Sequence, residues 1–241
     1  SCPTRRSSDL LKPLTVALAL DARAIDVGQR FDCGNGQRQY GERTLSDAAA
    51  YGSLDAAQIL AVSSNVGVSR IFDALGGAKL GAGLERFHVP VPADVEGGSL
   101  RGAIIAMGGG STTTPLALAR AYAVLANDGR DPNGTRVVSP EAAQSVRGML
   151  EGAVTGELAT GRAAAVAGAR VGGKTGTSAE EDCENCARVR GLFATFVGIA
   201  PIDQPRYVIY VGVGEPTKPG TGGTIAAPVF ARLAARLLAR G

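Results

Sequence analysis

The chain has 241 residues, 45% apolar and 20% charged, a balance that fits a folded domain and argues against disorder. Its net charge of +3 is small, its basic residues are dispersed and it has no Trp, so nucleic acid is not an expected partner. Cys2, Cys33, Cys183 and Cys186 are too few for a disulfide scaffold, no apolar run is long enough to span a bilayer, and no signal peptide is visible.

Residues 1–10 read SCPTRRSSDL. The PTRRSSDL part resembles a translated sequencing-library adapter, so residues 1–10 are set aside as a non-native segment and residues 11–241 are read as the domain. After Lys12-Pro13, Leu14 to Ala22 is apolar and helix-prone. Asp26 to Thr44 is polar and Gly-containing and reads as loop with short extended pieces. Ser53 can cap a helix through Ala56-Ala57-Gln58-Ile59-Leu60, which should stop near Ser63-Ser64-Asn65. A second helix, Val66 to Leu75, should end at Gly76-Gly77. Gly76 to Gly110 is rich in Gly and Pro and is expected to be irregular. Thr114-Pro115 gives a cap and a first-turn proline for a helix to Ala126, stopped at Asn127-Asp128-Gly129. Ser139-Pro140-Glu141 repeats that signal for a helix to about Leu150.

Val171 to Thr177, Leu192 to Ala200 and Arg206 to Val213 read as strands, the last two joined by a hairpin connection at Pro201 to Pro205. Pro228 to Arg240 reads as an amphipathic helix, with Phe230, Leu233, Leu237 and Leu238 on one face and Arg232, Arg236 and Arg240 on the other. Helices, then antiparallel strands, then a closing helix make an α+β arrangement with helices on a sheet.

Only Lys12, Lys79, Lys174 and Lys218 are Lys in a chain that otherwise uses Arg. Arg stays charged whereas Lys can lose its proton in a suitable site, so each Lys is a candidate for chemistry. Two of them fall in motifs: Lys12-Pro13 opens a helix, and Gly173-Lys174-Thr175-Gly176-Thr177-Ser178 lies on a predicted strand. Between them, Ser63-Ser64-Asn65 sits at a junction of two helices. In order and rough spacing these pieces resemble the Ser-x-x-Lys, Ser-x-Asn and Lys-Thr-Gly signature of penicillin-binding proteins and serine β-lactamases.

The flanking text, Ser63-Ser64-Asn65-Val66-Gly67, Thr114-Pro115-Leu116 through Asp128-Gly129, Phe196-Val197-Gly198 and Ala226 to Phe230, is similar to class B penicillin-binding proteins. The resemblance runs from Lys12 to the end. Its one departure is at the start, where the family's serine, three residues before the lysine, is replaced by Asp9. Ser8 is four residues before Lys12, the wrong step of the helix.

The resemblance implies a peptidoglycan D,D-transpeptidase that cross-links cell walls through a serine acyl-enzyme, here without its nucleophile and so inactive. It implies the transpeptidase fold with its first strands missing, leaving about three antiparallel strands. Lys12 matches the base that activates the serine, its pKa lowered by burial and by the charge of Lys174. Ser63 matches the proton relay, Asn65 the amide that holds the peptide, and Lys174 the receptor of the terminal carboxylate, with Thr175 and Thr177. Gly176 keeps the strand clear for an added substrate strand, and the Thr177 N–H gives half of an oxyanion hole. Stem peptide ending in D-Ala-D-Ala, β-lactams, and division or elongation membrane proteins are the implied partners. The implied place is the bacterial membrane, catalytic side outward, with the anchor outside this sequence.

No cofactor is implied. Cys183-x-x-Cys186 lacks the further ligands a metal site needs, since only Cys33 and His88 remain; a local disulfide or free thiols stay open. His88 reads as structural. A β-lactamase or β-lactam sensor on the same fold is the nearest alternative, and a non-catalytic peptide-binding pseudoenzyme the other.

Overall fold

The computed structural model describes residues 5–6, 9–92, 95–110, 112–181 and 189–240. In chain order its elements are β1 (Arg5–Arg6), α1 (Lys12–Asp21), β2 (Arg30–Gly34), β3 (Gln37–Tyr40), β4 (Arg43–Ser46) and β5 (Gly52–Asp55). There follow α2 (Ala56–Val62), α3 (Asn65–Leu75), α4 (Gly77–Arg86), α5 (Leu100–Met107), β6 (Thr112–Thr113), α6 (Pro115–Ala126) and α7 (Pro140–Thr155). The last part holds β7 (Gly172–Glu181), β8 (Val189–Ala200), β9 (Tyr207–Gly214), a π turn (Gly222–Ala226) and α8 (Ala227–Leu238).

Helix α1 is apolar on every side, and every residue from Lys12 to Ala19 is buried. A helix without a polar face belongs in the centre of a domain, and α1 packs against α3, α4, α5 and α7. The main sheet is antiparallel in the order β7-β8-β9. Successive residues of β8 point to opposite faces. Val197 and Ile199 join the large helical core around α1, α3, α6 and α7. Phe196 and Ala200 join a smaller core under α8. There Phe196 and Phe230 pack with ring centroids 4.8 Å apart and planes tilted by 50°, an arrangement aromatic pairs favour. The sheet is thus clamped between α8 and the helical core. The α+β expectation holds, and the described main sheet has three strands.

Several boundaries differ from the sequence reading. Ser53 lies in β5; the cap of α2 is Asp55, whose carboxylate accepts the Gln58 N–H at 2.8 Å while Gln58 returns its side-chain oxygen to the Asp55 N–H. The short extended pieces expected between Asp26 and Thr44 are present as β2, β3 and the start of β4, with β2 paired to β5 and β3 to β4. The segment expected to be irregular contains α4 and α5, and α7 runs one turn past Leu150, to Thr155. On α8 the buried residues are Ala227, Phe230 and Ala234, whereas Leu233 is exposed, because the sheet is reached by the small residues and one aromatic ring. Cys183, Cys186 and Ser8 lie outside the described residues.

Candidate active site

Three segments far apart in sequence meet at one point. The first is the start of α1. Leu10 and Leu11 are buried ahead of Lys12, and the Leu10 carbonyl accepts the hydroxyl of fully buried Tyr122 on α6 at 2.9 Å. That bond anchors the turn carrying Asp9, whose φ of 60° is left-handed. One turn on, Lys12 projects from α1 with no exposed surface.

The second segment is the α2–α3 junction. Ser63 takes a left-handed backbone (φ 60°, ψ 39°) as the C-cap that follows α2, and Ser64 caps α3 by accepting the Gly67 N–H at 2.8 Å. The turn is tight because position 67 has no side chain: a Cβ there would lie 2.5 Å from Ile59 Cγ1. A left-handed serine costs about 1 kcal/mol, and the contacts to the Ser63 carbonyl and hydroxyl hold it there. The third segment is β7, which presents Lys174, Thr175 and Thr177.

Lys12 Nζ is the hub. It donates to the Ser63 carbonyl at 2.7 Å, to Asn65 Oδ1 at 2.7 Å and to Ser63 Oγ at 3.1 Å, and lies 2.8 Å from Asp9 Oδ1. Lys174 Nζ donates to Ser63 Oγ at 2.8 Å and to the Thr175 carbonyl at 3.0 Å. Burial, which opposes a charge with no water around it, drives the Lys174 pKa down to about 7; Asp9 pulls it back up and Lys12 pushes it further down. At Asp9 burial acts to raise the carboxyl pKa. The charges of Lys12 and Lys174, with hydrogen bonds from Lys12 and Ser63, outweigh it and hold the group below its ordinary value.

Lys12, Ser63, Asn65 and Lys174 are therefore brought together, with Asp9 beside Lys12. Thr175 is also in place, but its side chain is 94% covered and faces Thr160 Oγ1 at 2.9 Å. Thr177 Oγ1 accepts the Gly222 N–H at 3.0 Å. The face over Gly176 is occupied: a Cβ on Gly222 would sit 2.5 Å from the Gly176 carbonyl oxygen. What remains open beside Gly176 is the outer edge of β7, which no described strand pairs.

Asp47 is a residue the sequence reading missed. One carboxylate oxygen accepts the Ser64 hydroxyl at 2.6 Å; the other accepts the N–H groups of Asn65 at 2.5 Å and Val66 at 3.0 Å. It thus satisfies donors at the start of α3 and sits at the positive end of that helix. The neighbouring Ser46 carbonyl accepts Asn65 Nδ2 at 2.8 Å, which fixes the amide with its oxygen toward Lys12. A lone Asp in Ser46-Asp47-Ala48 carries no local signal for this role, since its partners are 17–19 residues away.

A buried lysine pair thus surrounds one serine hydroxyl, with an amide and a Lys-Thr-Gly strand alongside. The chain belongs to the penicillin binding protein transpeptidase domain family, whose model matches residues 10–235. Among curated relatives it is 34% identical over 254 residues to the "Probable peptidoglycan D,D-transpeptidase PenA" of Neisseria flavescens, which covers 91% of this chain and 60% of the relative. It is 30% identical over 264 residues to the "Probable peptidoglycan D,D-transpeptidase FtsI" of Caulobacter vibrioides, covering 94% of this chain and 45% of the relative. The transpeptidase domain of penicillin-binding protein 3 from Burkholderia pseudomallei superposes with a TM-score of 0.87 at 30% identity, covering all of this chain and 81% of that one. The chain thus spans 60% or less of these two curated relatives' length.

Proposed function

We propose that this chain is the C-terminal part of a class B peptidoglycan D,D-transpeptidase domain whose catalytic serine is replaced by Asp9. The observation that carries the reading is the convergence of Lys12 and Lys174 on the Ser63 hydroxyl, with Asn65 and Asp9 both on the Lys12 amine. A serine at position 9 would lie next to Lys12, which takes its proton as it attacks the carbonyl of a terminal D-Ala-D-Ala or of a β-lactam. Ser63 passes the proton on to the leaving amine. Asn65 holds the peptide, Lys174, Thr175 and Thr177 hold the terminal carboxylate, and the N–H groups of residues 9 and 177 steady the developing oxyanion. Substrate lies along the open edge of β7 beside Gly176 as an added strand. As written, with a carboxylate at position 9, the chain forms no acyl-enzyme.

The same reading takes residues 1–10 as foreign to the domain, which recovery of the upstream coding sequence tests. It places the whole protein at the bacterial membrane with this domain outside; among the described residues no helix is long and apolar enough to cross a membrane. A second reading, a peptide-binding pseudoenzyme, draws on the 2.8 Å pairing of Asp9 with Lys12, which accommodates the carboxylate. Fluorescent penicillin separates the two. The Asp9→Ser chain labels covalently and the Asp9→Ala chain does not if the transpeptidase reading is right; a folded Asp9→Ser chain that never labels leaves the binding module.

A further inference from the structure

Thr160 belongs to no motif, yet it joins two of the segments that build the site, α2 and β7, to the π turn. It lies between α7 and a short 3-10 turn at Arg162–Ala164. Its N–H donates to the carbonyl of Ala61 at 2.9 Å, on the last turn of α2, two residues before Ser63. Its hydroxyl is 3.3 Å from that same carbonyl and 2.9 Å from Thr175 Oγ1. Its own carbonyl lies against the π turn, where a Cβ on Gly223 would be 2.3 Å away.

A threonine hydroxyl has one proton to give and two lone pairs to accept with. The Ala61 carbonyl already has the Thr160 N–H, so the Thr160 proton is free to turn to Thr175. When it does, Thr175 Oγ1 accepts from Thr160 and its own proton is released outward. Lys174 Nζ, 3.4 Å away, donates to the same oxygen. A hydroxyl that accepts one hydrogen bond donates a stronger one, the more so in a dry site.

We infer that Thr160 is a positioning residue for carboxylate recognition: its hydroxyl orients Thr175 so that Thr175 donates to the terminal carboxylate of an acyl-D-Ala-D-Ala ligand. This rests on the proposed role of the Lys174–Thr177 strand as the carboxylate receptor. Thr160 acts through Thr175, and it ties the receptor strand to the helix that ends in Ser63, so carboxylate binding and the relay serine share one anchor.

The test is an NMR titration of the Asp9→Ser chain with N-acetyl-D-Ala-D-Ala and with its C-terminal amide, repeated in Thr160→Val, Thr160→Ala, Thr160→Ser, Thr175→Val and Thr160→Val/Thr175→Val backgrounds. Binding is read from the initial chemical-shift changes, before turnover, while penicillin labelling of the same proteins reports separately on the transpeptidase reading. The Asp9→Ser chain prefers the free carboxylate. Thr160→Val, nearly isosteric and at an exposed position, lowers that preference about threefold to tenfold, the factor one neutral hydrogen bond carries. Thr160→Ala does the same should the valine disturb folding, and Thr160→Ser keeps most of the preference. In the Thr175→Val background the Thr160→Val change adds nothing, because the two side chains act as one unit. An unchanged preference in folded Thr160→Val and Thr160→Ala chains overturns the inference. So do additive losses in the double variant, or an Asp9→Ser chain that does not distinguish carboxylate from amide.

Discussion

Lys174 Nζ and Ser63 Oγ lie 2.8 Å apart although 111 residues separate them. Lys12 Nζ reaches the same oxygen from the other side at 3.1 Å. Both amines donate to the lone pairs of Ser63 Oγ, so its single proton points away from them. In the proposed reaction this is the geometry of a relay. Ser63→Ala, in the Asp9→Ser chain, is expected to slow penicillin labelling about a hundredfold or more, the usual weight of one positioned proton donor or acceptor. Thermal unfolding should barely move, because Ser63 is only half-buried. A labelling rate within a factor of two of the Asp9→Ser chain would remove Ser63 from the proton path.

Stability should carry the mark of Lys174. In the unfolded chain this amine holds its proton up to about its ordinary 10.5, and in the folded chain only up to about 7. Between those values the unfolded state binds the extra proton, so the Lys174 contribution rises with pH from about 7 to 10.5 and is most unfavourable below 7. Urea unfolding across that window should show a shallower rise for Lys174→Met than for the unaltered chain. Removing the Asp9 carboxylate takes away the charge that pulls the Lys174 pKa up, so Asp9→Ser should move that pKa further down. An NMR titration of the lysine ε-carbon reads the shift, and a rise would contradict the electrostatic picture.

Asp47 should matter more for its acceptors than for its charge. Asp47→Ala leaves the Asn65 and Val66 N–H groups and the Ser64 hydroxyl to find other partners, and should cost about 1–3 kcal/mol. Asp47→Asn keeps an oxygen for the two N–H groups and should recover about half of that. Because Asp47 seats Asn65, the alanine variant in the Asp9→Ser chain should also lose labelling at sub-saturating penicillin. Equal unfolding midpoints for the alanine variant and its parent would show that the junction holds without it.

Features written in neighbouring residues were legible in the sequence. The helix over Pro115–Ala126 has its cap at Thr114 and its stop at Asn127, as a local signal should, and two strands of the main sheet, β8 and β9, were visible as apolar runs. The four motif residues that converge were legible because their spacing matches a family. What could not be read is what distance in sequence hides. Helices α4 and α5 contain glycines that weaken a local helix signal. There the missing side chains make room for neighbours. A Cβ on Gly83 would fall 2.4 Å from Leu18, and one on Gly102 the same distance from Phe72. Tertiary packing thus overrides propensity where small residues let helices approach. Asp47, Tyr122 and Thr160 act at separations of 17, 112 and 15 residues or more, which no window on the sequence spans.

The contact between the π turn and the Lys-Thr-Gly strand gives the most demanding stability test. A Cβ at position 222 would stand 2.3 Å from the Thr195 carbonyl oxygen and 2.5 Å from that of Gly176, and both are backbone atoms in paired strands that cannot yield. Gly222→Ala must therefore lift the turn off the sheet and break the bond from its N–H to Thr177 Oγ1. The expected cost is about 2–4 kcal/mol, in the range of overpacked interiors, with loss of labelling in the Asp9→Ser chain. Gly148→Ala is the matched control. Gly148 lies inside α7 with nothing within 4 Å of an added Cβ, so the change should raise stability by about 0.5–1 kcal/mol through helix propensity alone. Opposite signs for the two substitutions would place the cost at the seat of the turn on β7; a tolerated Gly222→Ala would mean that this face of the strand can open, and that Gly176 is less enclosed than the packing indicates.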